Sequence, residues 1–296
     1  MDVFEIDILA MGTSLSIKVW DKLDDGEKEN IKEKIESYTT WFDNTFSRFK
    51  EESLISEISK GAGTYKVPRE LVEMLEIYKT FEKTTSGAMN PFIGNTFEDL
   101  GYDKNYTLKK KEKINLPKKI DEVLEIIDNE NIKLNEEVLI DIGALGKGFW
   151  VDKIKEMLEE KNIEKFLVNG SGDIYYKSSD ESIVVGLENP FDVTQAIGKI
   201  NIKNQSICGS GINKRKWGTD LEEINHVVNA RTGEIAKNIV STWVIADTAT
   251  IADAICTALF FVKPDELKKG LASPFEYLVV FADSTFAKSD GFNAEL

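Results

Sequence analysis

The chain has 296 residues, with 52 acidic against 37 basic side chains and a formal charge of −15. A balance of that sign gives no general attraction to nucleic-acid backbone or anionic lipid, so an anionic ligand must be held by local groups. The length allows roughly 75% of the unfolded surface to be buried, enough for one large core or two fused lobes, and Cys208 and Cys256, far apart and outside any C-x-x-C pair, suggest neither a disulfide framework nor a thiolate zinc site.

The first residues, M-D-V-F-E-I-D-I-L-A, lack the basic and apolar regions of a signal peptide. No run approaches the roughly 18 apolar residues of a membrane span. The expectation is a soluble, cytoplasmic protein with no transmembrane segment, or an extracytoplasmic lipoprotein if a leader has been removed ahead of residue 1. Val3–Leu9 and Thr13–Trp20 alternate as paired strands around Met11-Gly12. From Glu27 to about Phe49, apolar residues recur at three- and four-residue spacing, which predicts a long helix, and Pro68 opens a second. The charged segment Asp103–Lys119 reads as a solvated excursion between lobes. Beyond it, strands are predicted at Val138–Ile140, Phe166–Val168, Ile183–Gly186, Ile197–Ile202, Ile224–Val228, Ile239–Ala246 and Leu278–Ala282. Helices are predicted near 120–128, 146–161, 248–262 and 264–271. With no linker or repeat, this order predicts an α+β fold in a single unit over 1–296.

Three glycine-rich stretches fail the nucleotide fingerprints. In D-I-G-A-L-G-K-G, Asp141 to Gly148, glycine follows Gly146-Lys147 where a Walker A loop needs Ser or Thr. V-N-G-S-G-D (Val168–Asp173) and C-G-S-G (Cys208–Gly211) lack the third glycine of the dinucleotide pattern and read as turns. The first stretch nevertheless joins a strand to an amphipathic helix, where N–H groups and Lys147 can meet an anion. Asp253 and Thr257, four apart on a helix, share a face. They suit Mg²⁺ as hard oxygen ligands, or serve the helix itself through its dipole and a back-bonded hydroxyl. His226, in N-H-V-V-N-A-R-T-G-E, is the only histidine. It is either a strand-end residue bonded to backbone or a base, since neutral imidazole is present at physiological pH.

Taken in order, M-G-T-S-L-S-I, F-S-R-F-K-E-E-S-L-I-S, T-S-G-A-M-N-P, D-I-G-A-L-G-K-G-F-W-V-D, V-N-G-S-G-D-I, H-V-V-N-A-R-T-G and A-D-A-I-C-T-A-L resemble the ApbE family of FAD:protein FMN transferases over nearly the whole chain. The resemblance implies a two-lobed fold with mixed and antiparallel sheets flanked by helices and a ligand cleft between the lobes. It implies FAD as substrate, Mg²⁺ at the pyrophosphate, and transfer of FMN to a Thr or Ser hydroxyl of a flavoprotein bearing D-G-x-[ST]-G-A-[ST], with AMP released. The matched motifs imply the carbonyl of Ala144 with Asp253 and Thr257 as metal ligands. They place Asp141, Lys147, Met11, Phe49 and Ala88-Met89-Asn90 along the flavin, and His226 as the base. A carrier of FAD, or an FAD pyrophosphatase that gives FMN and AMP, is the alternative.

Three positions depart from the family pattern. Asn90 stands for an aspartate, Ala230 for the proline of H-I-[ND]-P-x-T-G, and Ser171 separates Gly170 and Gly172 where two glycines usually adjoin. Loss of that proline is expected to loosen a turn, and Ser171 to put a hydroxyl near the ligand.

Overall fold

The computed structural model describes residues 3–213, 216–219 and 222–296. Strands β1 (Phe4–Ala10) and β2 (Thr13–Val19) form the expected hairpin, antiparallel from Phe4↔Val19 to Ala10↔Thr13. Its two-residue turn sets Met11 at φ 52° and Gly12 at φ 69°. A tight hairpin turn asks for that pair of positive φ values, which strains a methionine. Helix α1 (Asp25–Phe46) begins at a capping box between Asp24 and Glu27 and buries Ile31, Ile35, Phe42 and Phe46. It ends earlier than its spacing suggests. Ser47 is extended, so Arg48 and Phe49 lie in the turn that follows.

Next come α2 (Leu54–Ile58), β3 (Gly63–Lys66) and α3 (Arg69–Thr84), the last opened by Pro68 as expected. A 3₁₀ turn at Pro91–Ile93 runs into α4 (Gly94–Asp99). After the 103–119 excursion come α5 (Ile120–Val123), β4 (Leu124–Ile126) and β5 (Asn131–Leu134). The helix expected at 120–128 is therefore one turn followed by a strand, which joins β3 and β5 in a small antiparallel sheet. Residues 138–140 form no strand. The Leu139 carbonyl instead accepts the Gly94 N–H at 3.1 Å.

The remaining elements are α6 (Gly146–Glu159), β6 (Phe166–Asn169), β7 (Ile174–Lys177), β8 (Ile183–Asn189), β9 (Asp192–Ile202), β10 (Gln205–Gly211), β11 (Lys216–Thr219), β12 (Glu222–Asn225), β13 (Ile239–Ala246), α7 (Ala249–Ala258), α8 (Pro264–Gly270), β14 (Phe275–Phe281) and β15 (Phe286–Lys288). Eight strands make one sheet in the order β1-β2-β6-β7-β10-β13-β14-β15, every neighbouring pair antiparallel. The alternation of β13 divides two cores. Val244 and Ala246 join the core formed with α1, α3, α6 and α7, while Trp243 and Ile245 join the one under the β8–β9 hairpin. The α+β class with antiparallel sheets flanked by helices is borne out.

Cys208-Gly-Ser-Gly211 is strand β10 in the middle of this sheet, contrary to its reading as a turn. Gly209 pairs with Trp243 across β13, and a Cβ there would stand 3.0 Å from the indole, so the ring takes the space of the missing side chain. Helices α6 and α7 cross as closely. A Cβ on Gly148 would stand 2.3 Å from the Ala249 carbonyl oxygen and 2.9 Å from the Asp253 Cβ. No helix among the described residues is long and apolar enough to cross a membrane.

Candidate active site

The floor of the main cleft is the junction of α6 and α7. The Asp141–Gly148 segment turns at Gly143, whose N–H donates to Asp141 Oδ1 at 2.7 Å, and enters α6 at Gly146. Helix α7 is fixed by the buried Asp152 carboxylate, which accepts the N–H groups of Ala249 and Thr250 at 2.9 and 2.8 Å. One and two turns on, Asp253 and Thr257 line the cleft. Asp253 is 2% exposed and accepts the Gly148 N–H at 3.1 Å.

Lys147 meets two carboxylates here. Its ammonium is bonded to Asp173 Oδ2 and stands 3.8 Å from Asp253 Oδ2. Burial works against the Lys147 charge, but Asp173 and Asp253 outweigh it and hold the ammonium well above the usual range. For Asp253 the balance runs the other way. Burial and then the neighbouring Asp173 raise its carboxyl to about 7. Asp173 is fully buried, and its Oδ1 has no hydrogen-bond partner among the described residues. Two buried carboxylates against one ammonium leave a negative floor with an unanswered oxygen, the electrostatic setting for a cation. Among the described residues, no three of His, Cys, Asp and Glu converge as a complete metal site. An ion here would also need hydroxyl, carbonyl or ligand oxygens, as Mg²⁺ usually does.

One wall is made of two loops stitched together. Asn90 Oδ1 accepts the Phe92 N–H at 2.8 Å, and its amide donates to Glu82 Oε1 at 3.0 Å and to the Lys118 carbonyl at 2.9 Å. Burial raises the Glu82 carboxyl, so an aspartate at 90 would set a second carboxylate against one already disfavoured. In the facing loop, β12 ends at Asn225 rather than continuing to Val228. Asn225 Oδ1 accepts the Val227 N–H at 2.9 Å while its amide donates to the Ala236 carbonyl at 2.8 Å, and this turn presents His226 to the cleft. Asn229 Oδ1 caps the next turn by accepting the Arg231 N–H at 3.0 Å. The Ala230 N–H donates to the Ala88 carbonyl at 2.9 Å. A proline could not make that bond, so the alanine ties the two loops together instead of loosening the turn. Ser171 is likewise engaged, its hydroxyl accepting from Thr13 Oγ1 at 2.6 Å and joining the V-N-G-S-G-D loop to the Met11 hairpin.

The opposite wall is aromatic. Arg48, 7% exposed, donates from Nε to Asp141 Oδ2 at 2.5 Å and from a terminal nitrogen to the Tyr102 carbonyl at 3.0 Å. Its guanidinium carbon lies 4.1 Å from the centre of the Phe49 ring and 5.1 Å from that of Tyr102. Asp141 thus has one oxygen held by Arg48 and the other by the Gly143 N–H. Tyr102 stacks on Trp217, whose indole N–H donates to the Leu100 carbonyl at 2.8 Å.

Met11, Phe49, Ala88, Met89, Asn90, Asp141, Ala144, Lys147, His226, Asp253 and Thr257 all line this one cleft of about 1290 Å³. That exceeds the ~300–1,000 Å³ of a usual small-molecule pocket. Sequence reasoning missed two buried charges. Asp173 closes V-N-G-S-G-D and Arg48 is the cation of F-S-R-F-K; an ionisable residue beside a glycine turn or within an aromatic run was the available signal.

A model of the ApbE family matches residues 11–280. The chain is similar to the FAD:protein FMN transferase of Haemophilus influenzae, 24% identical over 306 residues, covering 93% of this chain and 86% of that protein. It is similar to that of Escherichia coli, 23% identical over 263 residues, covering 83% and 75%. Among solved structures, the ApbE protein of Thermotoga maritima superposes with a TM-score of 0.82 at 23% identity over 98% of each chain. The flavin transferase ApbE from Vibrio cholerae gives 0.77 at 17% identity over 98% of this chain and 99% of that one.

Proposed function

The chain belongs to the ApbE family, and we propose that residues 1–296 act as one unit, a Mg²⁺-dependent FAD:protein FMN transferase. The acceptor's Thr or Ser oxygen attacks the FMN phosphorus of FAD. The P–O bond to the AMP half breaks, a phosphoester to the protein forms, and AMP leaves. The floor carries this reading: Lys147 and the buried Asp253 line one cleft with the only histidine, and the Lys147 ammonium also meets the fully buried Asp173, one of whose oxygens is unpartnered among the described residues. That donor set fits Mg²⁺, which Asp253, Thr257 and the Ala144 carbonyl would hold, and which when bound supplies counter-charge to the pyrophosphate.

The chain's own residues do the rest. His226 takes the proton from the acceptor hydroxyl as its oxygen attacks. Lys147 offers positive charge to the pyrophosphate from the start of α6. Met11, Phe49 and Ala88-Met89-Asn90 hold the flavin, with Asn90 fixing the loop and Asp141 oriented by Arg48. Storage of FAD alone calls for neither a base nor buried carboxylates. The test incubates the protein with FAD, Mg²⁺ and an acceptor bearing D-G-x-[ST]-G-A-[ST]. Covalent FMN should appear as added mass on the second Thr or Ser with one AMP released per adduct. Tight FAD binding with neither product across several acceptors would leave a carrier, and AMP and free FMN without adduct a pyrophosphatase.

A further inference from the structure

The charged excursion reaches the cleft. Tyr106 is 55% exposed and Leu108 44%, yet both line the cleft that holds His226 and Asp253. Their loop has a defined shape: Asp103 Oδ1 accepts the N–H groups of Asn105 and Thr107 at 2.9 and 3.1 Å, and the Leu108 N–H donates to the Gly101 carbonyl at 2.9 Å. It turns back tightly enough to place Tyr106 at φ 50° and Leu108 at φ 55°. Each such conformation strains a non-glycine residue, and strain of this kind gathers where chains meet ligands. The loop accepts that strain while holding two large apolar side chains in water.

The Tyr106 ring lies parallel to Phe49, with 3° between the planes and 5.6 Å between centroids. Phe49 is held in place by Arg48, itself anchored on Asp141. One ring is thus fixed on the body of the protein and the other is carried by a solvent-exposed loop, their planes already aligned. We propose that Tyr106 is the outer wall of the slot for the isoalloxazine of FAD, which enters between Phe49 and Tyr106 and leaves Tyr106 stacked on its outer face. This rests on the transferase reading, which makes FAD the ligand of the cleft. Two stacking contacts need roughly 7 Å between the outer planes, twice the distance of carbon–carbon contact. Tyr106 therefore moves outward on binding, and its exposed ring becomes covered.

Titration of the full chain with FAD, FMN and AMP, with flavin emission recorded, tests this. Tyr106→Ala, at an exposed position, leaves the core intact. It should weaken FAD and FMN together, roughly 5- to 100-fold, the range of one lost aromatic stack, and leave AMP unchanged. Emission of the bound flavin, quenched by the stacked phenol, should rise, and Tyr106→Phe should restore affinity. Unchanged FAD affinity and emission in Tyr106→Ala overturn the proposal. So does a variant in which only the KM for the acceptor rises, since the ring would then serve the acceptor. A wild-type protein that binds flavin through Tyr106 but yields neither AMP nor adduct keeps the slot and removes the transferase reading.

Discussion

At the floor of the cleft one ammonium faces two buried carboxylates, and an oxygen of Asp173 lacks a hydrogen-bond partner among the described residues. In the wall built from 88–90 and 225–234, by contrast, Asn90, Asn225 and Asn229 are all bonded within the chain. Buried polar groups are normally satisfied, so a buried group left waiting marks where a partner belongs. Apart from His226, the wall is a finished scaffold, and substitutions there should act through geometry. The floor is electrostatically incomplete, and substitutions there should act through charge. The three departures from the family pattern at 90, 171 and 230 all fall in loops where the chain itself supplies a hydrogen-bond partner for the changed residue.

The largest effects belong to the chemistry that the floor and His226 share. Asp253→Ala should abolish adduct formation while FAD binding persists through the flavin contacts. His226→Asn keeps a polar side chain of similar reach but loses the base, so transfer should fall roughly 10²–10⁴-fold with FAD affinity hardly changed. Single-turnover adduct formation beside equilibrium FAD titration separates the two quantities. Wild-type transfer by either variant breaks the assignment of its residue.

The charge of the floor also predicts a pH dependence of stability. The Asp253 carboxyl is raised in the folded chain from an ordinary 3.8 to about 7. The folded state therefore holds this proton more tightly than the unfolded chain does. Its contribution is fully present below about pH 4 and is lost as pH rises through about 7. Without metal, wild-type protein should lose a few kcal/mol relative to Asp253→Asn across that window, at about 1.4 kcal/mol for each tenfold change in the proton equilibrium. Added Mg²⁺ should recover it at neutral pH. Urea unfolding at a series of pH values reads this directly, and parallel curves for the two proteins would mean that the floor carries no such strain.

How much of this was legible differs between the same two regions. Helices α6 to α8 and strand β13 stand within a few residues of their predicted bounds: α6 and α7 are long apolar-rich runs, α8 is opened by Pro264, and β13 alternates between two cores. Strand β10 was hidden because Gly209 and Gly211 imitate a turn, and only the Trp243 ring lying over Gly209 explains the first of them. Short β3, β4 and β5 carry too few residues for a period to emerge. All eleven expected site residues line the cleft, legible through motif order. Asp173 and Arg48 were not, because the roles of a buried charge are set by partners 26 and 93 positions away.

Gly148 sharpens the comparison from the side of packing. Its N–H meets Asp253, and a Cβ would press on the Ala249 carbonyl oxygen at 2.3 Å and on the Asp253 Cβ at 2.9 Å, neither of them the far end of a flexible side chain. Gly148→Ala should destabilise the fold by about 1–3 kcal/mol, as overpacking does. It should also shift Asp253, lowering transfer more than FAD affinity. A variant of wild-type stability and rate would show that α6 and α7 can part without consequence.

The smallest effect is expected in the wall. Ala230→Pro would restore the residue typical of the family turn, but it deletes the N–H that donates to the Ala88 carbonyl, and Ala88 is only 3% exposed. Leaving a buried acceptor unpaired costs about 1–3 kcal/mol. Stiffening the unfolded chain with proline returns about 0.4–1 kcal/mol where the backbone angles suit it. The net should be a loss of about 1 kcal/mol, read as a lower urea midpoint at unchanged slope. Because Ala88 leads into Met89 and Asn90, FAD affinity should fall slightly while the single-turnover rate with saturating FAD stays at the wild-type value. If Ala230→Pro instead raises the midpoint, the turn is governed by chain entropy and the stitch between the loops is idle. If the saturated rate drops with His226 intact, the wall shares the catalytic burden of the floor, and the division between scaffold and charge does not hold.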